Sequence, residues 1–227
     1  SIAEKVPEPG KTANTSVLVA DDGAIVAAYR KIHLFDVNIP DGARYAESET
    51  VLPGDRPVVA DTPLGRVGLT VCYDLRFPEL YRRLAERGAE IVTIPAAFTL
   101  YTGKDHWEVL VRARAIENLC YVVAPAQVGR HSANRVTFGN AMIVDPWGVV
   151  LARCAAGAGV CLAPFRRERL AQAAESGRGV EPVEVRDGHL FGGEADRRVG
   201  LHGALAAIDQ AGDGTRFHAA VARRGQQ

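Results

Sequence analysis

The stretch "GRVGLTVCYDLRFPEL", residues 65 to 80, decides the reading of this chain. An apolar run from Val67 to Val71 ends on a thiol, Cys72. Polar and charged residues follow at once: Tyr73, Asp74, Arg76. A turn at Phe77-Pro78 then opens a helix at Glu79. Open α/β sheets carry their active sites at the carboxyl ends of strands, where such a turn meets a helix. The turn exposes the side chain at its start and aims backbone N–H groups at the same point, which suits an oxyanion. A buried, inert thiol gains nothing from a Tyr-Asp-Leu-Arg sequence beside it. Cys72 is therefore the candidate nucleophile. A thiolate at neutral pH requires a base or a positive charge nearby.

Outward from this stretch the pattern alternates. Residues 77 to 88 read as a helix stopped by Gly88. "AEIVTIPAAF" (89–98) reads as a buried strand, "KDHWEVLVRARAIENL" (104–119) as a helix and "CYVVAPAQV" (120–128) as a third strand. "FGNAMIVDPWGVVLARC" (138–154) is a hairpin around Asp145-Pro146-Trp147-Gly148. Upstream, "SVLVADDGAIVAAYR" (16–30) gives two strands around an Asp21-Asp22-Gly23 turn, since Asp-Gly is a strong hairpin signal. Residues 31 to 57 are irregular and rich in Pro, Gly, Asp and Glu; so long a loop in a domain is usually functional. Apolar strands alternating with helices define an α/β class with a sheet buried by helices, and the hairpins make the sheet mixed. From about Glu175 the apolar periodicity is poor, and the tail reads as loosely ordered.

The chain has 227 residues, with 27 basic and 27 acidic side chains and zero net formal charge. That balance asks for neither nucleic acid nor a membrane surface. No apolar run reaches the length of a membrane span. Cys72, Cys120, Cys154 and Cys161 match no zinc template, so no metal is expected. Cys120 and Cys161 lie in apolar runs and read as small core residues. A chain of this size needs no disulfide, and a reduced, cytoplasmic protein is expected.

Activators for Cys72 are less obvious. His33 in "YRKIHLF" and His106 at a helix start each read as structural histidines. Lys31 follows the strand "AIVAAYR" and enters the irregular segment; on position alone it reads as an edge or surface lysine. The motifs change its weight. "YRKIHLFD" (29–36), "VGLTVCYDLRFPEL" (67–80), "HWEVLVRARAIEN" (106–118) and "DPWG" (145–148), in this order, resemble the nitrilase, or carbon–nitrogen hydrolase, superfamily. The similarity runs from residue 1 to about 165.

This resemblance implies an α-β-β-α four-layer sandwich and a Glu-Lys-Cys catalytic set. The lysine motif falls on Lys31 and the cysteine motif on Cys72. The thiolate attacks an amide carbonyl, Lys31 and the Tyr73 backbone N–H stabilise the oxyanion, and water hydrolyses the thioester. A further glutamate supports the lysine; the resemblance puts it at Glu47, with Glu49 as an open neighbour. Arg76 matches a carboxylate-binding position, the alternative being an ion pair with Asp74 or Glu79. Phe98 and Thr102 match substrate-side positions. "KIHLFDV", "CYDLRFPEL" and "TGKDHWE" narrow the likeness to the deaminated-glutathione amidase and ω-amidase branch.

The chain departs from the family in two places. The general-base glutamate should lie on an early strand–turn well before Lys31, and Glu4 and Glu8 do not fit that place. The fold is therefore expected to be incomplete at the N-terminus. The expected organisation is a partial carbon–nitrogen hydrolase domain over 1–165 and a divergent, loosely ordered tail over 166–227. The function implied is hydrolysis of the amide C–N bond of a small carboxylated amide, either deaminated glutathione or a 2-oxo acid ω-amide. The alternatives are an inactive fragment or assembly module retaining the fold, and a carbamoylase or aliphatic amidase. The family pairs sandwiches through the helices beside the active site, so 77–88 and 105–118 are expected near a homodimer or larger homo-oligomer interface. No cofactor is implied.

Overall fold

The computed structural model describes residues 1–38, 44–132, 135–155, 157–177, 184–186, 189–191 and 216–221. The first half forms β1 (Ile2–Lys5), β2 (Thr12–Val19), β3 (Ile25–Arg30), β4 (Asp36–Asn38), β5 (Arg44–Ala46), β6 (Val51–Leu52), β7 (Val58–Thr62), β8 (Gly65–Leu69), α1 (Pro78–Glu86) and β9 (Ile91–Thr93). The second half forms α2 (Leu100–Asn118), β10 (Tyr121–Ala124), β11 (Val128–Ser132), β12 (Arg135–Phe138), β13 (Met142–Val144), β14 (Val150–Arg153), β15 (Gly159–Pro164), α3 (Arg167–Gly177), β16 (Glu184–Arg186), β17 (His189–Phe191) and β18 (Arg216–Val221).

Two sheets carry the fold. A six-stranded sheet runs in the order β14-β13-β10-β9-β8-β7. Its centre is parallel (β8 with β9, β9 with β10), and its outer pairings are antiparallel. The mixed sheet is thus the one the sequence implies. A four-stranded sheet joins β1, β2 and β3 antiparallel, with β6 parallel to β2. Both sheets share one core, which Tyr29 of β3 enters together with Val67, Leu69, Ile91 and Val122 of the six-stranded sheet. The α/β sandwich class expected from the motifs is the class observed.

The helices cover the six-stranded sheet for readable reasons. Pro78 occupies the first turn of α1, where its missing N–H costs nothing. Leu80, Tyr81, Leu84 and Ala85 form its buried stripe. Gly68 of β8 lets α1 sit close: a Cβ there would lie 3.2 Å from Leu84 and from Ala89. Helix α2 buries Gly103, Trp107, Val111 and Ala115 at spacings of four residues, a single stripe. Val109 and Ile116, off this stripe, are exposed.

Several boundaries differ from the sequence reading. Helix α2 begins at Leu100, earlier than the Lys104 expected, because Thr99 caps it by accepting the Thr102 N–H at 3.4 Å. The strands read over 89–98 and 120–128 are cut short at Pro95 and Pro125, which have no N–H to give a ladder. Residues 31–57 are less irregular than composition implies, carrying β4, β5, a 3-10 turn over Glu47–Glu49 and β6. Of the tail over 166–227, α3, β16, β17 and β18 are described and the rest lies outside the described residues. No helix among the described residues is long and apolar enough to cross a membrane.

Candidate active site

Cys72 follows β8 and opens a 3-10 turn over Cys72–Arg76. Its φ of 51° is in the left-handed region, which costs a side-chain-bearing residue of order 1–3 kcal/mol. Backbone bonds hold it there. The Cys72 N–H donates to Pro95 O at 2.9 Å, and the Asp74 N–H donates to Val71 O at 3.1 Å. Between them, the Tyr73 N–H has no acceptor among the described residues. The strain thus presents a half-buried thiol next to an unused N–H donor, the arrangement an oxyanion requires.

Asp74 fastens this turn to the strand that carries the lysine. Its carboxylate is fully buried. It accepts the Val71 N–H at 2.8 Å and the Tyr29 hydroxyl at 2.8 Å. It also accepts the His33 N–H at 3.1 Å and lies 2.8 Å from His33 Nδ1. Burial, then the Asp74 charge, raises the Tyr29 hydroxyl far above its usual range, so Tyr29 stays a proton donor to Asp74. The His33 ring stacks on Phe77, 3.7 Å between centroids. From the other side Arg114 of α2 donates twice to Leu75 O, at 3.1 and 2.9 Å. The turn is therefore braced from two directions.

Lys31 is 2% exposed, so it is no surface lysine. Its N–H donates to Asn14 O at 2.8 Å, and its Nζ meets Glu47 Oε2 at 2.5 Å. Glu47 also accepts the Phe35 N–H at 2.7 Å and the Asn14 side-chain amide at 3.2 Å. Glu49 points away and pairs with Arg44 at 3.1 Å. Of the two glutamates the sequence left open, Glu47 is the one on Lys31. The loop's return is set by Gly54, whose N–H donates to Lys31 O at 2.8 Å and whose missing Cβ would strike the Arg30 carbonyl.

A cavity of about 650 Å³ collects the candidates, with Lys31, Glu47, Cys72, Arg76, Phe98 and Thr102 on its wall and Tyr73 beside them. Burial pushes the Cys72 thiol up, while Lys31 and a hydrogen bond from the Ala97 backbone pull it down. Arg76 has no carboxylate partner among the described residues; Asp74 is consumed by the brace and Glu79 is not in reach of an ion pair. Its guanidinium contacts His106 Nδ1 at 3.1 Å and lies 5.5 Å from the Phe98 ring centroid. Phe98 packs on Trp107, and Thr102 shares a 3.0 Å hydroxyl contact with Thr99. Among the described residues on this wall Glu47 is the single carboxylate. The sequence reading missed Asp74, Tyr29 and Arg114 as positioning residues.

The sequence profile of the carbon–nitrogen hydrolase family matches residues 1–175. The chain belongs to the carbon–nitrogen hydrolase family. A deaminated glutathione amidase of Synechocystis sp. is 54% identical over 167 residues, which are 73% of this chain and 61% of that protein. The crystal structure of the Caenorhabditis elegans NitFhit protein superposes with a TM-score of 0.73 at 44% identity, covering 78% of this chain and 43% of that one. A mutant amidase from Nesterenkonia sp. AN1, TM-score 0.60 and 29% identical over 77% of this chain and 66% of that one, shows Michael addition of acrylamide at its active-site cysteine. This carbon–nitrogen hydrolase chain thus spans less than two thirds of the length of the curated relative it matches.

Proposed function

We propose that this carbon–nitrogen hydrolase is an amidase that cleaves the C–N bond of a small carboxylated amide, deaminated glutathione or a 2-oxo acid ω-amide, through a Cys72 thioester. The observation that carries the reading is the buried Lys31–Glu47 pair on the same cavity wall as the strained Cys72 turn. The addition of acrylamide at the Nesterenkonia amidase's cysteine and the name of the Synechocystis relative support it.

The residues divide the work as follows. The Cys72 sulfur attacks the carbonyl carbon, a C–S bond forms, and the carbonyl π electrons move to oxygen. The Lys31 ammonium and the Tyr73 N–H stabilise that oxyanion, a fixed positive charge and a fixed dipole where negative charge develops. Collapse breaks the C–N bond, and the amine half leaves with the proton that the Cys72 thiol gave up, carried to its nitrogen by solvent. Water then attacks the thioester, the C–S bond breaks, and acid and thiol are released. Glu47 holds Lys31 in place. Arg76 takes a substrate carboxylate bidentately, with Phe98 and Thr102 shaping the wall around it.

One observation favours a second reading, a chain that binds the amide without turning it over. Among the described residues, no carboxylate besides Glu47 lines the cavity to accept the thiol proton. A positioned base contributes about 10²–10⁴-fold. The test is product formation from deaminated glutathione, a 2-oxo acid ω-amide and an N-carbamoyl amino acid, with Cys72→Ala as control. Products from the first two, lost in Cys72→Ala, support the amidase. Products from the carbamoyl compound alone point to a carbamoylase. Binding without products supports the second reading.

The assembly is proposed as a homodimer or higher oligomer. Val109 and Ile116 of α2 and Trp147 and Val149 of the β13–β14 turn are exposed, and Arg112 joins the two elements by donating to Gly148 O at 2.8 Å. A second copy is the proposed cover. Four cysteines with no disulfide between them among the described residues favour a reducing compartment, the cytoplasm.

A further inference from the structure

The charges on the cavity wall do not balance. Four cationic side chains line it among the described residues, Lys31, Arg44, Arg76 and Arg135, against the single carboxylate of Glu47. Lys31 is neutralised by Glu47 at 2.5 Å. Arg44 is neutralised by Glu49 at 3.1 Å. Arg76 contacts His106 and two aromatic rings but no carboxylate. Arg135 has no carboxylate partner among the described residues either. Two guanidiniums therefore face the cavity with their charge unspent.

They enter at different points. Arg76 lies over the Phe98 ring, 5.5 Å from its centroid. Strand β12 runs antiparallel past the same segment: the Phe138 N–H donates to Phe98 O at 3.0 Å, and Thr137 bridges Thr99. Arg135 opens that strand two residues before Thr137, a step of about 7 Å along an extended backbone. Alternation along the strand puts Arg135 on the same face as Thr137. The second cation thus stands farther along the wall from Phe98 than the first. A guanidinium stays charged at all working pH values and binds carboxylates as a planar fork.

We infer that the cavity takes a dianionic amide, with one carboxylate on Arg76 and the other, on the amine half beyond the scissile bond, on Arg135. The inference rests on the amidase reading and sharpens it, because the two substrates left open there differ in this respect. Deaminated glutathione carries a carboxylate on each side of the cleaved amide. A 2-oxo acid ω-amide such as 2-oxoglutaramate carries one, on the acyl side. Arg135 is thereby the residue that separates them, and Arg76 serves both.

Calorimetric titration of the uncleaving Cys72→Ala chain tests this without requiring turnover. Deaminated glutathione should bind about tenfold or more tightly than 2-oxoglutaramate, the return on one charge-assisted contact. Arg135→Leu should bring deaminated glutathione down to the level of 2-oxoglutaramate and leave 2-oxoglutaramate unchanged. Arg76→Leu should weaken both. Arg135→Lys should restore part of the loss, and the advantage of deaminated glutathione should shrink as salt rises. Circular dichroism melting of each variant checks that it folds. If Arg135→Leu leaves deaminated glutathione binding within twofold, or weakens both ligands equally, the assignment of Arg135 is wrong. If neither ligand binds the Cys72→Ala chain, the amidase reading itself falls, and this inference with it.

Discussion

The Lys31 ammonium and the Glu47 carboxylate meet at 2.5 Å, the lysine 2% exposed and the glutamate 19%. A buried ion pair adds little over an apolar pair, but removing one partner strands the other. Glu47→Gln should therefore cost about 3 kcal/mol in urea denaturation, the range for an orphaned buried charge. Glu49→Gln, which breaks only the exposed pair with Arg44, should cost less than about 1 kcal/mol. Equal losses in the two variants would remove Glu47 from its assigned place.

Asp74 offers the sharper test of the brace. In Asp74→Asn the amide keeps one acceptor oxygen and turns an NH₂ group toward donors that now have no partner. The loss should reach about 3 kcal/mol by thermal or urea unfolding, since buried polar groups left unsatisfied cost the full desolvation penalty. A loss below about 1 kcal/mol would mean that the turn is held mainly by its backbone bonds.

The Cys72 thiol reports on Lys31. The ammonium stabilises the thiolate, so Lys31→Met should move the pH midpoint of Cys72 alkylation by iodoacetamide upward. Peptide mapping would follow the site. Cys120 should stay unlabelled in the native chain, because burial pushes its thiol up to about 12. A midpoint that stays put or falls would separate Lys31 from the thiol electrostatically.

Glu90 gives a pH signature to stability. Half-burial raises its carboxyl from 4.5 to about 7, against the downward pull of the Arg66 N–H, Arg167 and Arg66. The folded chain thus holds this proton to higher pH than the unfolded chain does. Stability from this group is present below pH 4.5 and is lost as pH rises toward about 7. Unfolding free energies measured across that window should fall more steeply with pH in the native chain than in Glu90→Gln. Parallel curves would dismiss the effect.

The proposed subunit contact can be broken at one exposed position. Val109 is 66% exposed on α2, and Ile116 farther along the same helix is exposed with it. Val109→Asp should shift sedimentation velocity toward the monomer while leaving the circular dichroism spectrum intact. An unchanged sedimentation coefficient would place any interface elsewhere.

Cys72 and the helix after it were legible in the sequence because their signals are local: an apolar run, a thiol, a charged turn, a proline. Lys31 needed the motif resemblance, since nothing beside it announces burial. Glu47 and Glu49 could not be told apart by spacing, because the path of their loop is set by contacts with Phe35 and Asn14. Asp74 stood in the sequence as a partner for Arg76, and its true partners, Tyr29 and His33, lie 45 and 41 residues away. The strands β7 and β12 were missed for a like reason. Each is four or five residues long and owes its form to a neighbour that a local pattern does not reveal.

Lys31 follows a strand of the four-stranded sheet, and Cys72 follows a strand of the six-stranded one. The proposed reacting pair therefore straddles a seam, and its alignment measures how the two sheets are seated on each other. A slip of an ångström along that seam leaves every strand paired, yet misplacement on this scale costs about a hundredfold in rate. Warming or mild denaturant should disarm the thiol before the circular dichroism signal moves. The working lifetime of the molecule is then that of the join between its sheets, not of either sheet.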